Sequence, residues 1–231
     1  MENLKKLIVC LTLFFATVLV AQVPEIPFKV DSLFDLNQPE TLGLSFAKGV
    51  ETFTIFLFFE QENKYNHGVV LFAFKGMLYA QSQSSAVDED GPDTRVFYSR
   101  STDGKVWEKP MPLTSIEPKL IKTSGGWWSD GNTLVAYLGV WPHGENSLKE
   151  GYSEYITSMD GMHWEAPKLV KNSDDKPVLG IIEQDLRVLP NARILTAFHV
   201  QPGLIAKPFY TDDPLGITGW KSGELTNLPS E

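Results

Sequence analysis

Ser101-Thr102-Asp103-Gly104-Lys105-Val106-Trp107 and Ser158-Met159-Asp160-Gly161-Met162-His163-Trp164 share one pattern, S-x-D-G-x-x-W. A weaker third copy, Thr211-Asp212-Asp213-Pro214, precedes Trp220. Trp107, Trp164 and Trp220 thus recur at a nearly fixed interval, the mark of a repeated supersecondary unit. The pattern has a physical meaning. Asp103 and Asp160 can accept hydrogen bonds from backbone N–H groups just ahead, as in an Asx-turn. Gly104 and Gly161 supply the positive φ that such a turn needs. The tryptophan packs its ring against the neighbouring strands. The motif reads as a β-hairpin tip closed once per unit.

Strand patterns extend outward from these tips. In the first unit Val69–Phe74 and Met77–Gln83 flank a Lys75-Gly76 turn, and Thr94–Ser101 leads into the first motif. In the second, Trp127-Trp128 precede an Asp130-Gly131-Asn132 turn, Thr133–Val140 follows it, and Tyr152–Ser158 enters the second motif. In the third, Asp185–Leu189, a Pro190-Asn191 turn, Ile194–Val200 and Lys207–Thr211 repeat the order. A short fourth strand is expected after the first motif, near Lys109–Leu113, and Lys168–Val170 follows the second. No long stretch has helical spacing, so the expected fold is all-β. The run Thr52–Phe59 (TFTIFLFF) is β-branched and aromatic and reads as a further buried strand.

The two full motifs and the degraded third resemble the Asp boxes of the sialidase-type, BNR-repeat β-propellers. The resemblance implies four-stranded blades, about three of them here where the family has six, or seven in some polysaccharide lyases. The chain is therefore expected to be the N-terminal half of a larger ring, with Thr52–Phe59 as a possible ring-closing strand. It also implies that Ser101, Asp103, Gly104, Trp107, Ser158, Asp160, Gly161 and Trp164 are structural, because the boxes lie away from the active site. The implied activity is that of a carbohydrate-active enzyme, in the first place an exo-acting glycoside hydrolase acting on a glycan or polysaccharide. A lyase of the ulvan-lyase kind and a non-catalytic glycan-binding propeller remain open beside it.

Composition narrows the partners. A net charge of −9 argues against nucleic acid, whose phosphates need a basic surface. Lys5 and Lys6 precede an apolar run, Leu7–Ala21, too short to span a bilayer comfortably. Residues 1–21 read as a secretory signal peptide, 22–65 as a lead-in and 66–231 as the partial propeller. The expected destination is the outside of the cell or the periplasm, with no membrane span after cleavage. Cys10, the one cysteine, lies inside the signal, so no disulfide is expected.

Candidate chemistry gathers in loops. Asp88-Glu89-Asp90-Gly91-Pro92-Asp93 stands where the sialidases carry an acid–base residue, and crowding by like charges and loop burial would raise a carboxyl there. Asp90 and Asp93 are the preferred catalytic acids, with Asp88 as a substrate contact. Asn66-His67-Gly68 stands where the family has Arg-Ile-Pro, and His67 resembles in placement the early histidine of ulvan-lyase-type propellers. Tyr79, Tyr137 and Arg187 are its possible helpers. Glu183 is a further catalytic candidate, and strand alternation would put 183, 185 and 187 on one face. His143, with Glu145 nearby, and His199 complete the substrate-binding candidates. His67, His143 and His199 have no tight ligand spacing, so neither a metal nor a cofactor is expected.

Overall fold

A computed structural model describes residues 34–57, 63–117, 119–142, 150–182, 185–200 and 204–223. The signal expected over residues 1–21 lies outside them. The chain divides into Met1–Glu51 and Thr52–Glu231. The described part of the first unit is a run of turns. Its centre is the Asp35 carboxylate, which accepts from the Asn37 backbone N–H and from the Asn37 and Gln38 amides.

The second unit is built of thirteen strands in three antiparallel sheets among the described residues. Sheet 1 contains β1 (Tyr65–Phe74), β2 (Met77–Ser85), β3 (Arg95–Ser101) and β4 (Met111–Pro112), in that order. Sheet 2 repeats it with β5 (Leu120–Ser129), β6 (Leu134–Pro142), β7 (Tyr152–Ser158) and β8 (Lys168–Leu169). Sheet 3 has β10 (Arg187–Val188), β11 (Ile194–Val200), β12 (Ile205–Thr211) and β13 (Lys221–Ser222), while β9 (Gly180–Ile182) also pairs with β11. The sheets are an all-β stack of three equivalent units, and they do not close a ring among the described residues.

Two apolar cores hold the stack. Tyr79, Val96, Trp127, Leu134, Leu138 and Ile156 fill the space between sheets 1 and 2. Val135, Tyr137, Ile182, Ile194, Phe198 and Trp220 fill that between sheets 2 and 3. A polar clasp crosses each joint. The inner strand of sheet 2 bulges between Ser124 and Trp127. The buried Gln81 of sheet 1 accepts there from the Ser124 hydroxyl and the Gly126 N–H, both at 2.8 Å, and Gln83 accepts from the Ser124 N–H. At the next joint the Ser153 hydroxyl donates to the Gly180 carbonyl and accepts from the Ile182 N–H. Lys75, at the first hairpin turn, donates to the Asn132 and Met159 carbonyls of sheet 2.

The motif turns form as their residues dictate. Asp103 Oδ1 accepts from the Lys105 and Val106 N–H groups, and the Ser101 hydroxyl accepts from Gly104 N–H. Asp160 Oδ1 accepts from Met162 and His163 N–H in the same way. The third copy is longer but complete. Asp213 accepts from Leu215, Ile217 and Thr218 N–H, and Trp220 donates to the Gly216 carbonyl. Thr211 and Asp213 therefore do the work of the motif's serine and aspartate.

Two expectations need correction. Residues 52–57 form no strand, and Phe58 and Phe59 lie outside the described residues. Phe53 and Leu57 are exposed, while Ile55 and Phe56 lie beside Ala80, Ser82 and Phe97 around a small cavity on sheet 1. The segment lays side chains on that sheet rather than adding backbone to it. The first strand instead begins at Tyr65, four residues before the Val69 start expected from the sequence. In unit 3 the inner strand is not continuous either. Asp185 and Leu186 belong to no strand, and Glu183 lies outside the described residues.

Candidate active site

The strands fix two ends of the stack. The motif turns and the first hairpin turns lie at one end. The starts of β1, β5 and β9, the β2–β3 loop and the ends of β6 and β11 lie at the other. The acidic loop joins β2 to β3 at this second end, beside the start of β1. Here one cluster forms.

Tyr65 and His67 alternate on β1 and so share a face. Their rings stack, with centroids 5.9 Å apart. The Tyr65 hydroxyl donates to Glu89 Oε2 at 3.3 Å, and His67 Nε2 lies 4.0 Å from the same oxygen. The His67 and Glu89 side chains are 59% and 54% exposed, open to a ligand. Desolvation first, and then the charge of Glu89, raise the Tyr65 hydroxyl above its ordinary range. Tyr65 therefore stays protonated and works as a donor. Nothing in composition singled out Tyr65 or Glu89. The readable signal was the i, i+2 pairing of Tyr65 with His67 on a strand that starts four residues earlier than its apolar pattern.

The acidic loop is shaped by its own carboxylates. Asp93 is half-buried and its Oδ2 accepts from Ala86 N–H at 2.9 Å, tying the two ends of the loop together. Asp88 Oδ1 accepts from Asp90 N–H, and its carbonyl accepts from the Ser85 hydroxyl. Asp88, Glu89 and Asp90 are exposed. The burial expected to raise a carboxyl in this loop is absent from these three. Asp93 is a brace of the loop, and Glu89 and Asp90 are the acids turned to solvent.

The other candidates do not all join this cluster. Tyr137 is fully buried, and its hydroxyl donates to the Gly216 and Leu215 carbonyls. It locks the third motif turn and is a core residue, not a substrate contact. Burial pushes its hydroxyl well above the ordinary tyrosine range. Tyr79 is buried as well, packed against Gly161 of the second motif turn. Arg187 pairs with Leu195 near the hairpin turn, at the end away from the acidic loop, and its guanidinium donates to Asp185 at 3.2 Å. It cannot assist His67. His199 is half-buried near the end of β11, at the same end as the acidic loop. His143, Glu145 and Glu183 lie outside the described residues. Among the described residues no group of three His, Cys, Asp or Glu side chains could hold a metal ion, and no helix is long and apolar enough to cross a membrane.

Comparison with known proteins fits this architecture. The BNR repeat-like domain matches residues 76–231. Among solved structures, a protein of unknown function from Dyadobacter fermentans superposes with a TM-score of 0.54 and 17% identity, over 68% of this chain and 53% of that one. An N-acetylgalactosamine deacetylase from F. plautii, in complex with blood group B trisaccharide, superposes with a TM-score of 0.50 and 12% identity, over 68% of this chain and 51% of that one. The Trypanosoma rangeli sialidase in complex with sialic acid gives 0.46 and 13%, over 68% and 30%. No curated protein matches. The chain spans about half the length of the first two structures. Three equivalent sheets, each closed by an S-x-D-G-x-x-W turn or its longer variant, together with the domain match over most of the chain, place it in the BNR repeat-like family.

Proposed function

We propose that this chain builds part of a secreted β-propeller that acts on glycans, and that its activity is exo-acting glycoside hydrolysis. The observation that carries the reading is the Tyr65–His67–Glu89 cluster beside Asp90, at the end of the stack opposite the motif turns. Loops on a rigid scaffold are where sites are placed. Glycoside hydrolysis needs two carboxyl groups of unlike role. Glu89, held by the Tyr65 hydroxyl, suits the ionised partner that attacks or activates water. Asp90, at the loop tip, suits the acid that protonates the leaving oxygen. An aromatic ring and an imidazole beside them offer a sugar a stacking face and a donor. The glycan-bound structure among the neighbours supports a carbohydrate ligand for this fold.

A lyase reading has one observation in its favour, the stacked Tyr65–His67 pair. His67 would take the proton next to a uronate carboxyl group, and Tyr65 would give one to the departing glycosidic oxygen. A carbon–carbon double bond forms and no water is consumed. Product analysis on a panel of glycans tests the two. Hydrolysis incorporates oxygen from labelled water and yields no ultraviolet-absorbing product. Elimination yields an unsaturated uronate and incorporates none. Glycan binding without product would overturn both and leave a binding propeller. Secretion is tested by N-terminal sequencing of the exported protein, which should begin at Gln22.

A further inference from the structure

The two full motif turns share a backbone frame and differ in what they present. Thr102, Lys105 and Val106 of the first turn are replaced by Met159, Met162 and His163 in the second. Met77 and Met111 pack against the first core. Met159 and Met162 do not, and are 69% and 50% exposed. The His163 side chain beside them is 86% exposed. Two thioethers and an imidazole thus stand in water on one short turn, where the equivalent turn has none of them.

The turn holds these donors in place. Asp160 Oδ1 accepts from the Met162 and His163 N–H groups, both at 2.9 Å. Lys75 of sheet 1 donates to the Met159 carbonyl at 2.8 Å. The second Asp160 oxygen, Oδ2, lies 2.7 Å from His163 Nδ1. In the neutral ring that contact puts the proton on Nδ1 and leaves the lone pair on Nε2, facing away from the turn. A carboxylate behind the imidazole is the usual companion of a metal-binding histidine, fixing its tautomer and raising its basicity. Met159 and His163 also line one cavity of about 230 Å³, with Asp160 and Glu165 in its wall.

We propose that Met159 Sδ, Met162 Sδ and His163 Nε2 bind a soft monovalent cation, copper(I). Thioether sulfur selects copper(I), whereas carboxylates suit hard ions. Among the described residues no group of three His, Cys, Asp or Glu side chains could hold a metal, so a hard divalent ion lacks a ligand set here. The unbranched methionine side chains, each with three rotatable bonds, let both sulfurs reach one ion beside the imidazole. The Asp160 carboxylate, itself not a ligand, offsets the charge of the ion through the His163 ring. None of His67, His143 and His199 takes part. The site lies at the motif end of the stack, opposite the Tyr65–His67–Glu89 cluster, and stands apart from the proposed glycan chemistry.

Methionine-methyl NMR of the purified chain, titrated with silver(I) as a redox-inert stand-in for copper(I), tests this. The Met159 and Met162 methyl signals should shift together and saturate at one equivalent, while those of Met77 and Met111 stay. Competition with a chromophoric copper(I) chelator under ascorbate then gives the affinity. Met159→Leu, Met162→Leu and His163→Val should each weaken binding by at least the roughly 10–100-fold that loss of an outer partner costs. All three should keep the circular dichroism of the parent, because Asp160 and the backbone build the turn. His163→Val restores the residue of the first turn, so its loss of binding would assign the imidazole directly. Shifts spread over all four methionines, a titration that does not saturate, or unchanged affinity in the folded variants would overturn the site. Zinc(II) binding as tightly as copper(I) would overturn the thioether ligand set in favour of the Asp160 and Glu165 carboxylates. None of these readouts depends on glycan turnover, so an inactive chain that binds copper(I) would fault the proposed reaction and not this site.

Discussion

A single carboxylate oxygen, Glu89 Oε2, gathers the Tyr65 hydroxyl and the His67 imidazole at the start of β1. Glu89→Gln should therefore lower turnover by about 100-fold or more, the usual weight of a general acid–base group, with little change in thermal stability. Kinetics on the purified protein, with melting curves alongside, check it. The motif aspartates behave oppositely. Two backbone N–H bonds and the His163 ring hold the Asp160 carboxyl far below the usual aspartate range. Its folded value is depressed, so its contribution is present in full above the ordinary value of 3.8 and is lost as the pH falls below it. Asp160→Asn should lose less stability than the parent on acidification from about pH 5 to about pH 2, while keeping its activity near neutrality. Acid unfolding curves followed by tryptophan fluorescence would show the parent the more stable near neutrality and the two converging at low pH. At this scale the motif residues were legible because each hydrogen bond they make is local. Tyr65 and Glu89 were not. They meet across twenty-four residues, and only the strand start at Tyr65 brings them together.

Elements are held to one another by side chains that close a neighbour's irregularity. The Gln81 carbonyl oxygen accepts two bonds from the bulge of β5. Gln81→Leu keeps the volume and removes the shared acceptor, leaving a buried hydroxyl and a buried N–H unsatisfied at a cost of about 2–4 kcal/mol. Chemical denaturation should show a lower midpoint with an unchanged slope, since the surface exposed on unfolding is the same. A stability equal to the parent would mean that water replaces the amide. The hairpins of sheets 1 and 2 were legible from Lys75-Gly76 and Asp130-Gly131-Asn132, because turn chemistry and strand alternation act over short range. The bulges and the broken inner strand of sheet 3 were not. They exist to fit the neighbouring sheet, and nothing within the strand itself announces them.

For the whole molecule, two apolar cores between three sheets carry the packing. Repeat number and fold class were legible from three tryptophans. The role of Thr52–Phe59 was not, since a run of β-branched and aromatic residues suits a strand and a side-chain cover equally well. The packing of Ile55 and Phe56 beside Phe97 selects the cover.

The six tryptophans differ in one respect. Five donate their indole N–H: Trp107 to Gly104, Trp127 to Val70, Trp128 to Pro214, Trp141 to Thr123 and Trp220 to Gly216. Trp164 Nε1 is buried with no acceptor. Its ring instead sits against Tyr98 and Trp127, between sheets 1 and 2. Trp164 is thus a built-in spectroscopic reporter. In a nitrogen–proton correlation spectrum, five indole signals should lie in the hydrogen-bonded range and one apart from them. Trp164→Phe should erase that outlying signal and no other. Followed during titration with a glycan, the same peak reports from inside the first joint, while Trp220 reports from the third repeat.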